Sequence, residues 1–214
     1  MSKITVMLVD DHAVVRLGYR MLLSQSDDIT VVHESERGEE ACLAYQQVRP
    51  DLVVMDINLP GIGGLASIRR ICARDPNAKI LAFSIHDEQL YVQRALDAGA
   101  RGYITKSCAP ELMVDAVRQV AAGETYVEPQ IAQRMVVQMA VGSDAASALK
   151  CLSAREFDVF CLLAKGCTTR EIAEKLCLGY KTVANYATLV KIKLNVSTVA
   201  EITRIAYQQG IIKN

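Results

Sequence analysis

The sequence predicts an α/β doubly wound five-stranded parallel sheet followed by an all-α four-helix domain. Three observations predict it. Short apolar runs alternate strictly with amphipathic segments over residues 1–124. Two Ser/Thr-x-x-Glu boxes open helical patterns after residue 150. The charge also changes sign along the chain: the zero total hides −4 over residues 1–124, −1 over 125–149 and +5 over 150–214. An acidic front and a basic tail point to two modules with different partners.

The front runs are Ile4–Val9, Ile29–Val32, Leu52–Met55, Ile80–Phe83 and Gly102–Ile104. Apolar residues at helical spacing lie between and after them: Val14, Leu17 and Met21; Leu65, Ile68 and Ile71; Leu112, Ala116, Val117 and Val120. Runs this short and continuous suit strands covered on both faces. Gly123 ends the fifth helix. Residues 125–149 read as a linker, with a helical piece over Pro129–Ala140 and a flexible stretch from Gly142 to Ser147.

The tail, residues 150–214, begins with two capping boxes. Ser153 with Glu156 and Thr168 with Glu171 each open a helix. Phe157, Phe160, Cys161 and Ala164 line the first, which Gly166 stops; Ile172, Ala173 and Leu176 line the second. The turn Cys177-Leu178-Gly179 leads to a third helix reaching Leu194, with Val183, Ala187, Val190 and Leu194 inward. A fourth helix follows Ser197. A short helix, a tight Gly-containing turn and a longer helix form a helix-turn-helix pattern.

Composition excludes several classes. No stretch approaches the roughly 18 uncharged apolar residues of a membrane span. The run Ile4–Val9 is too short for a signal peptide and meets Asp10-Asp11. The chain is therefore expected in the cytoplasm, away from membranes. Seven scattered cysteines without a C-x-x-C spacing argue against a disulfide framework or zinc site and read as small, reduced core residues.

The chemistry gathers at strand ends. Asp10 and Asp11 follow the first strand, Asp56 the third, Ser84 the fourth and Lys106 the fifth. In doubly wound sheets ligands bind at these carboxyl ends. Three converging carboxylates repel one another unless a cation joins them, and hard oxygen donors suit Mg²⁺. Carboxylate, hydroxyl and ammonium together fit phosphoryl transfer to an aspartate. Two decoys fail on spacing. Gly61-Ile62-Gly63-Gly64 lacks the dinucleotide fingerprint, and Thr105-Lys106-Ser107 lacks the glycine of a P-loop. His12 reads as a solvated neighbour of the acids.

Asp10-Asp11-His12, the stretch from Met55-Asp56 to Pro60-Gly61, Ser84 and Tyr103-Ile104-Thr105-Lys106 resemble the receiver domain of two-component response regulators, a flavodoxin-like fold. The resemblance implies that Asp56 is the phosphoacceptor. It also implies that Asp10, Asp11 and Asp56 bind Mg²⁺ with the Asn58 backbone carbonyl, and that Ser84 and Lys106 receive the phosphoryl group. Ser84 and Tyr103 form the implied switch pair, the aromatic ring turning inward.

Leu152-Ser153-Ala154-Arg155-Glu156, Gly166, Glu171-Ile172-Ala173 and Lys181-Thr182-Val183 resemble the LuxR-type DNA-binding domain. With the receiver, this resembles the NarL/FixJ class. The resemblance implies a third helix in the major groove, a last helix around Val199–Gln208 able to pair two copies, and a sensor histidine kinase as phosphoryl donor. Lys181, Ala184, Asn185 and Thr188 share one face of the third helix by spacing. With Thr182 and Lys191 they form the expected DNA contacts, and Lys193 flanks them. The lysines suit phosphates, while Asn185 and the Thr188 methyl suit base edges. Gly179-Tyr180 departs from the Ser-Pro-like start common in that family.

The expected protein is thus a phosphorylation-switched regulator of promoter DNA, homodimeric when phosphorylated. It is expected to catalyse no more than its own phosphoryl transfer and dephosphorylation. Two rivals stay open: a Mg²⁺-dependent phosphohydrolase with an aspartyl-phosphate, and a DNA binder indifferent to phosphorylation. The missing general acid at Asn58 and the basic tail weigh against the first; the filled acid site weighs against the second.

Overall fold

The computed structural model describes residues 3–141, 149 and 151–212. The expected flexible stretch from Gly142 to Ser147 lies outside the described residues. The chain divides into two compact units, residues 1–135 and 136–214.

In the first unit five strands, β1 (Ile4–Val9), β2 (Ile29–Ser35), β3 (Leu52–Asp56), β4 (Ile80–Ser84) and β5 (Gly102–Thr105), alternate with α1 (Ala13–Ser24), α2 (Gly38–Val48), α3 (Gly64–Arg74), α4 (Gln89–Asp97) and α5 (Pro110–Ala121). Every predicted strand forms where its apolar run begins. β3 and β4 are buried along their whole length, as covering on both faces requires. On one face Val6, Leu8, Val54, Leu81 and Phe83 pack with Leu23 of α1 and Met113, Ala116, Val117 and Val120 of α5. The alternate residues Met7, Val9, Val53 and Met55 are also closed from solvent.

The sheet has six strands, not the expected five. β6 (Tyr126–Val127) pairs in parallel with β5 at the edge, completing the order β2-β1-β3-β4-β5-β6. Two residues carry no periodicity that a sequence window can register. β6 forms because Tyr126 N–H donates to the Arg101 carbonyl and its ring joins the apolar cluster. The linker expected from residue 125 therefore begins inside the first unit, and α6 (Pro129–Val141) starts there too.

α1 differs from its pattern. Val14, Leu17 and Met21 are exposed, whereas Arg16 and Leu23 are buried. The helix exists, but the predicted stripe of Val14, Leu17 and Met21 faces outward. The inner side carries Val15, Tyr19, Leu22 and Leu23 against the core, and beside them a guanidinium with polar partners.

The second unit packs α7 (Ala154–Ala164), α8 (Thr169–Lys175), α9 (Tyr180–Leu194) and α10 (Val199–Gln208). Both predicted capping boxes form, at Ser153/Glu156 and Thr168/Glu171. A third, Thr198/Glu201, opens α10. Phe157 and Phe160 stack at the centre, with ring centroids 6.2 Å apart. The tight turn after α8 takes its left-handed residue at Cys177, φ 51°, and not at the glycine. Gly179 instead caps α9 in extended conformation. Cys42 and Cys161 are core residues as expected, but Cys151 and Cys177 are exposed. Among the described residues no helix is long and apolar enough to cross a membrane.

Candidate functional site

The carboxyl ends of β1, β3, β4 and β5 bring Asp10, Asp56, Ser84 and Lys106 together. Parallel pairing in register makes this possible: Val9 aligns with Met55, Asp56 with Phe83 and Ser84 with Thr105. Asp10 and Asp56 are 3% and 1% exposed, so neither charge is solvated by bulk water. Lys106 answers both. Its Nζ lies 2.6 Å from Asp10 Oδ2 and 2.8 Å from Asp56 Oδ2. It also stands 5.4 Å from the centre of the Phe83 ring.

Asp56 is further held by the Asn58 N–H, which donates to Oδ1 at 2.9 Å. The turn beyond it is built from glycine for a steric reason. A Cβ on Gly64 would stand 1.9 Å from the Asp56 carbonyl oxygen. Gly61 and Gly63 take positive φ in the same turn, which confirms its expected role as the opening of the next helix. Burial pushes the Asp56 carboxyl up, and the Lys106 ammonium and Asn58 N–H pull it part of the way back. Burial works to lower the Lys106 ammonium, but Asp56 and Asp10 raise it above its ordinary value.

Asp11 and His12 complete the rim. The His12 N–H donates to Asp10 Oδ1 at 2.8 Å, and its Nδ1 lies 2.9 Å from Asp11 Oδ1. Ligand atoms of Asp10, Asp11, His12 and Asp56 all lie within 4.8 Å of one another. This acidic cluster can hold a metal ion. Its donor set is rich in hard carboxylate oxygens and is open to water at Asp11, which suits a small divalent cation.

Ser84 is fully buried, and its Oγ accepts from the His86 N–H at 3.1 Å. The Lys106 N–H donates to the Ser84 carbonyl at 2.6 Å. Tyr103 stands on β5 with its ring already inside, 0% exposed, and its hydroxyl donates to the His86 carbonyl at 2.8 Å. The inward ring expected only after switching is therefore the arrangement found, because the phenol has a buried acceptor waiting. Burial pushes the Tyr103 hydroxyl well above its ordinary range.

Arg16 was not legible from the sequence. It is buried on α1, donates to the Asp10 carbonyl, and pairs with Glu34 and Glu36. It fixes the backbone that carries the first acid. No motif announces it, since an arginine on a helix usually faces water.

In the second unit, Lys181, Thr182, Asn185 and Thr188 are exposed on α9, while Ala184 and Lys191 are half-buried. Thr188 Oγ1 donates to the Ala184 carbonyl at 3.0 Å, which occupies its hydroxyl proton locally. Tyr180 is 62% exposed at the first position of α9. Lys193 does not join this face. Its Nζ lies 2.6 Å from Glu156 Oε2 and also donates to the Cys151 carbonyl. It ties α9 to the capping box of α7, because a buried carboxylate there needs a cation.

Comparison with known proteins agrees with both halves. Residues 6–118 match the family described as response regulator receiver domain, and residues 150–206 match bacterial regulatory proteins of the luxR family. The chain is similar to the transcriptional activator protein ExaE of Pseudomonas putida, 44% identical over 97% of this chain and 98% of that protein. It is similar to the response regulator GacA of Pseudomonas protegens, 39% identical over 98% of each. A solved two-component response regulator of the LuxR family from Aurantimonas sp. SI85-9A1 is 40% identical, with a TM-score of 0.63 over 65% of this chain and 99% of that one.

Proposed function

The chain belongs to the response regulators that join a receiver domain to a LuxR-type DNA-binding domain, and from that premise we propose that Asp56 is its phosphoacceptor. As a member it is a DNA-binding transcriptional regulator of a two-component system. The observation that carries the assignment of Asp56 is its buried carboxylate, held between the Lys106 ammonium and the Asn58 N–H at the end of β3.

Asp56 attacks phosphorus in line, and the donor's leaving group departs on the opposite side. Lys106 is close enough to transfer its ammonium from Asp56 Oδ2 to a phosphoryl oxygen. Ser84 Oγ can donate to the same group, since a hydroxyl that accepts from the His86 N–H still carries its own proton. Asp10, Asp11 and Asp56, with the Asn58 carbonyl, are the groups that would hold Mg²⁺. When bound, Mg²⁺ supplies positive charge against the phosphoryl oxygens. The added phosphoryl group brings about −1.5 to −2 charges. Redistribution of Lys106 and Ser84 toward that charge shifts the receiver between two states.

The donor in this reading is a sensor histidine kinase, and the phosphorylated chain pairs into a homodimer on promoter DNA. Lys181 and Lys191 meet DNA phosphates, and Thr182, Ala184, Asn185 and Thr188 face the groove. The protein works in the cytoplasm and turns over no external substrate.

The test labels full-length protein with a small acyl phosphate and Mg²⁺, beside Asp56→Ala, and footprints DNA with both. Wild type takes one phosphoryl group and protects its sites more strongly; Asp56→Ala does neither. Equal footprints from the two proteins would instead support a phosphorylation-independent binder. Multiple turnover of an external phosphate monoester, beyond loss of the chain's own phosphoryl group, would support a phosphohydrolase.

A further inference from the structure

Glu128 lies in the stretch whose composition reads as linker, yet it is 8% exposed. Its Oε2 accepts from the Thr105 N–H at 2.9 Å and from Thr105 Oγ1 at 2.8 Å. Its own N–H donates to the Tyr103 carbonyl at 3.1 Å. Thr105 is the last residue of β5, and Lys106 follows it directly. Ser107 Oγ donates to Thr105 Oγ1 at 3.2 Å, so both neighbours of the lysine backbone feed one bonded group. Farther along α6, Arg134 Nη1 lies 2.6 Å from Asp87 Oδ2, three residues beyond Ser84. That outer pair is half exposed and contributes little alone. The inner bonds are buried and converge on one carboxylate oxygen at 2.9 and 2.8 Å, which makes them strong and directional.

We propose that Glu128 is a positioning residue for phosphoryl acceptance: it fixes the Thr105 backbone so that the Lys106 ammonium meets Asp56, and it ties the start of α6 to that lysine. The proposal rests on Asp56 being the phosphoacceptor. The coupling runs through bonds and not through proximity. A backbone shift at Lys106 is resisted first at Thr105, and Thr105 is held by the residue that immediately precedes α6. Without Glu128 the Thr105 N–H and hydroxyl lose a buried acceptor. The β5–α5 turn then samples positions in which the ammonium is misplaced.

The experiment compares wild type, Glu128→Gln, Glu128→Ala and Asp56→Ala as full-length chains. Both Thr105 bonds fall on one oxygen, Oε2, so the amide carbonyl of Gln can accept them and should rescue. With a small acyl phosphate and Mg²⁺, Glu128→Ala should be phosphorylated slower by on the order of tenfold, the scale of a sub-ångström misplacement. Glu128→Gln should stay near wild type. Binding of Mg²⁺ alone should be equal in wild type, Gln and Ala variants, because no oxygen donor is altered. Hydrogen exchange over residues 126–134 should change on phosphorylation in wild type and Glu128→Gln but not in Glu128→Ala. A wild-type rate in Glu128→Ala would overturn the proposal. So would a Gln variant as slow as Ala, a parallel loss of Mg²⁺ binding, or an exchange response that survives in Ala. If wild type takes no label that Asp56→Ala lacks, the reading of Asp56 fails first and this inference falls with it.

Discussion

The Lys106 ammonium lies 2.8 Å from the Asp56 carboxylate, joining the end of β5 to the end of β3. Asp10 sits on its other side at 2.6 Å. The lysine is thus the internal cation of two carboxylates that are closed from bulk water.

Lys106→Met should therefore leave two buried carboxylates without a counter-charge. In the presence of a chelator, stability should fall by about 3 kcal/mol, the scale of a broken buried ion pair. Mg²⁺ should restore part of it, because a divalent cation can take up the same charges. Urea denaturation with and without Mg²⁺ measures both effects. An unchanged midpoint in chelator would contradict the role given to Lys106.

The glycine beyond Asp56 gives a steric test. A Cβ at Gly64 would stand 1.9 Å from the Asp56 carbonyl oxygen and 2.6 Å from the Ile57 Cα, both backbone atoms. Gly64→Ala should cost about 1–3 kcal/mol and slow phosphorylation of Asp56. Gly18, inside α1 with nothing within 4 Å of its added Cβ, is the control. Gly18→Ala should stabilise by about 0.5–1 kcal/mol through helix propensity. Denaturation midpoints of the two variants should move in opposite directions.

The lysines of α9 separate by their partners. Lys181→Ala and Lys191→Ala should each lower the log–log salt slope of DNA affinity by about 0.9. Lys193→Ala should leave the slope nearly unchanged and lower stability instead, since its ammonium is committed to Glu156 at 2.6 Å. DNA titrations at several salt concentrations, beside thermal unfolding, distinguish the two effects. A full unit of slope lost with Lys193 would show that its pairing yields to DNA.

The capping boxes set an acid limit. For Glu156, burial works to raise the carboxyl, but Lys193 and the Ser153 donors outweigh it and hold it below its ordinary value. Thr168 lowers Glu171, and Ser197 and Thr198 lower Glu201. A depressed folded value adds stability above the unfolded glutamate pKa, about 4.3, and that stability is lost as pH falls through the folded values. Far-UV denaturation curves should show the helical unit weakening below about pH 4.3. Replacing all three glutamates by glutamine should flatten that dependence; an unchanged slope would assign acid sensitivity elsewhere.

Much of the acid site was legible because parallel strands deliver the residue after each strand to one edge. Once the runs ending at Val9, Met55, Phe83 and Ile104 are read as neighbours, Asp10, Asp56, Ser84 and Lys106 must converge. The second unit was legible for a related reason: capping boxes and glycine stops are local chemistry, complete within four or five residues.

Sequence by itself determined the helices, five of the six strands, their order and which residues stand at the strand ends, since periodicity and strand ends are short-range properties. Tertiary structure alone decided which long polar side chains found partners. Arg16 turned inward to the Asp10 carbonyl while Val14, Leu17 and Met21 stayed out. Lys193 chose Glu156, and Glu128 chose Thr105 across the β5–β6 edge. β6 likewise exists only because an open strand edge offered hydrogen bonds to a passing segment. Such choices depend on which buried acceptor lies within reach in space, and no window of sequence contains that distance.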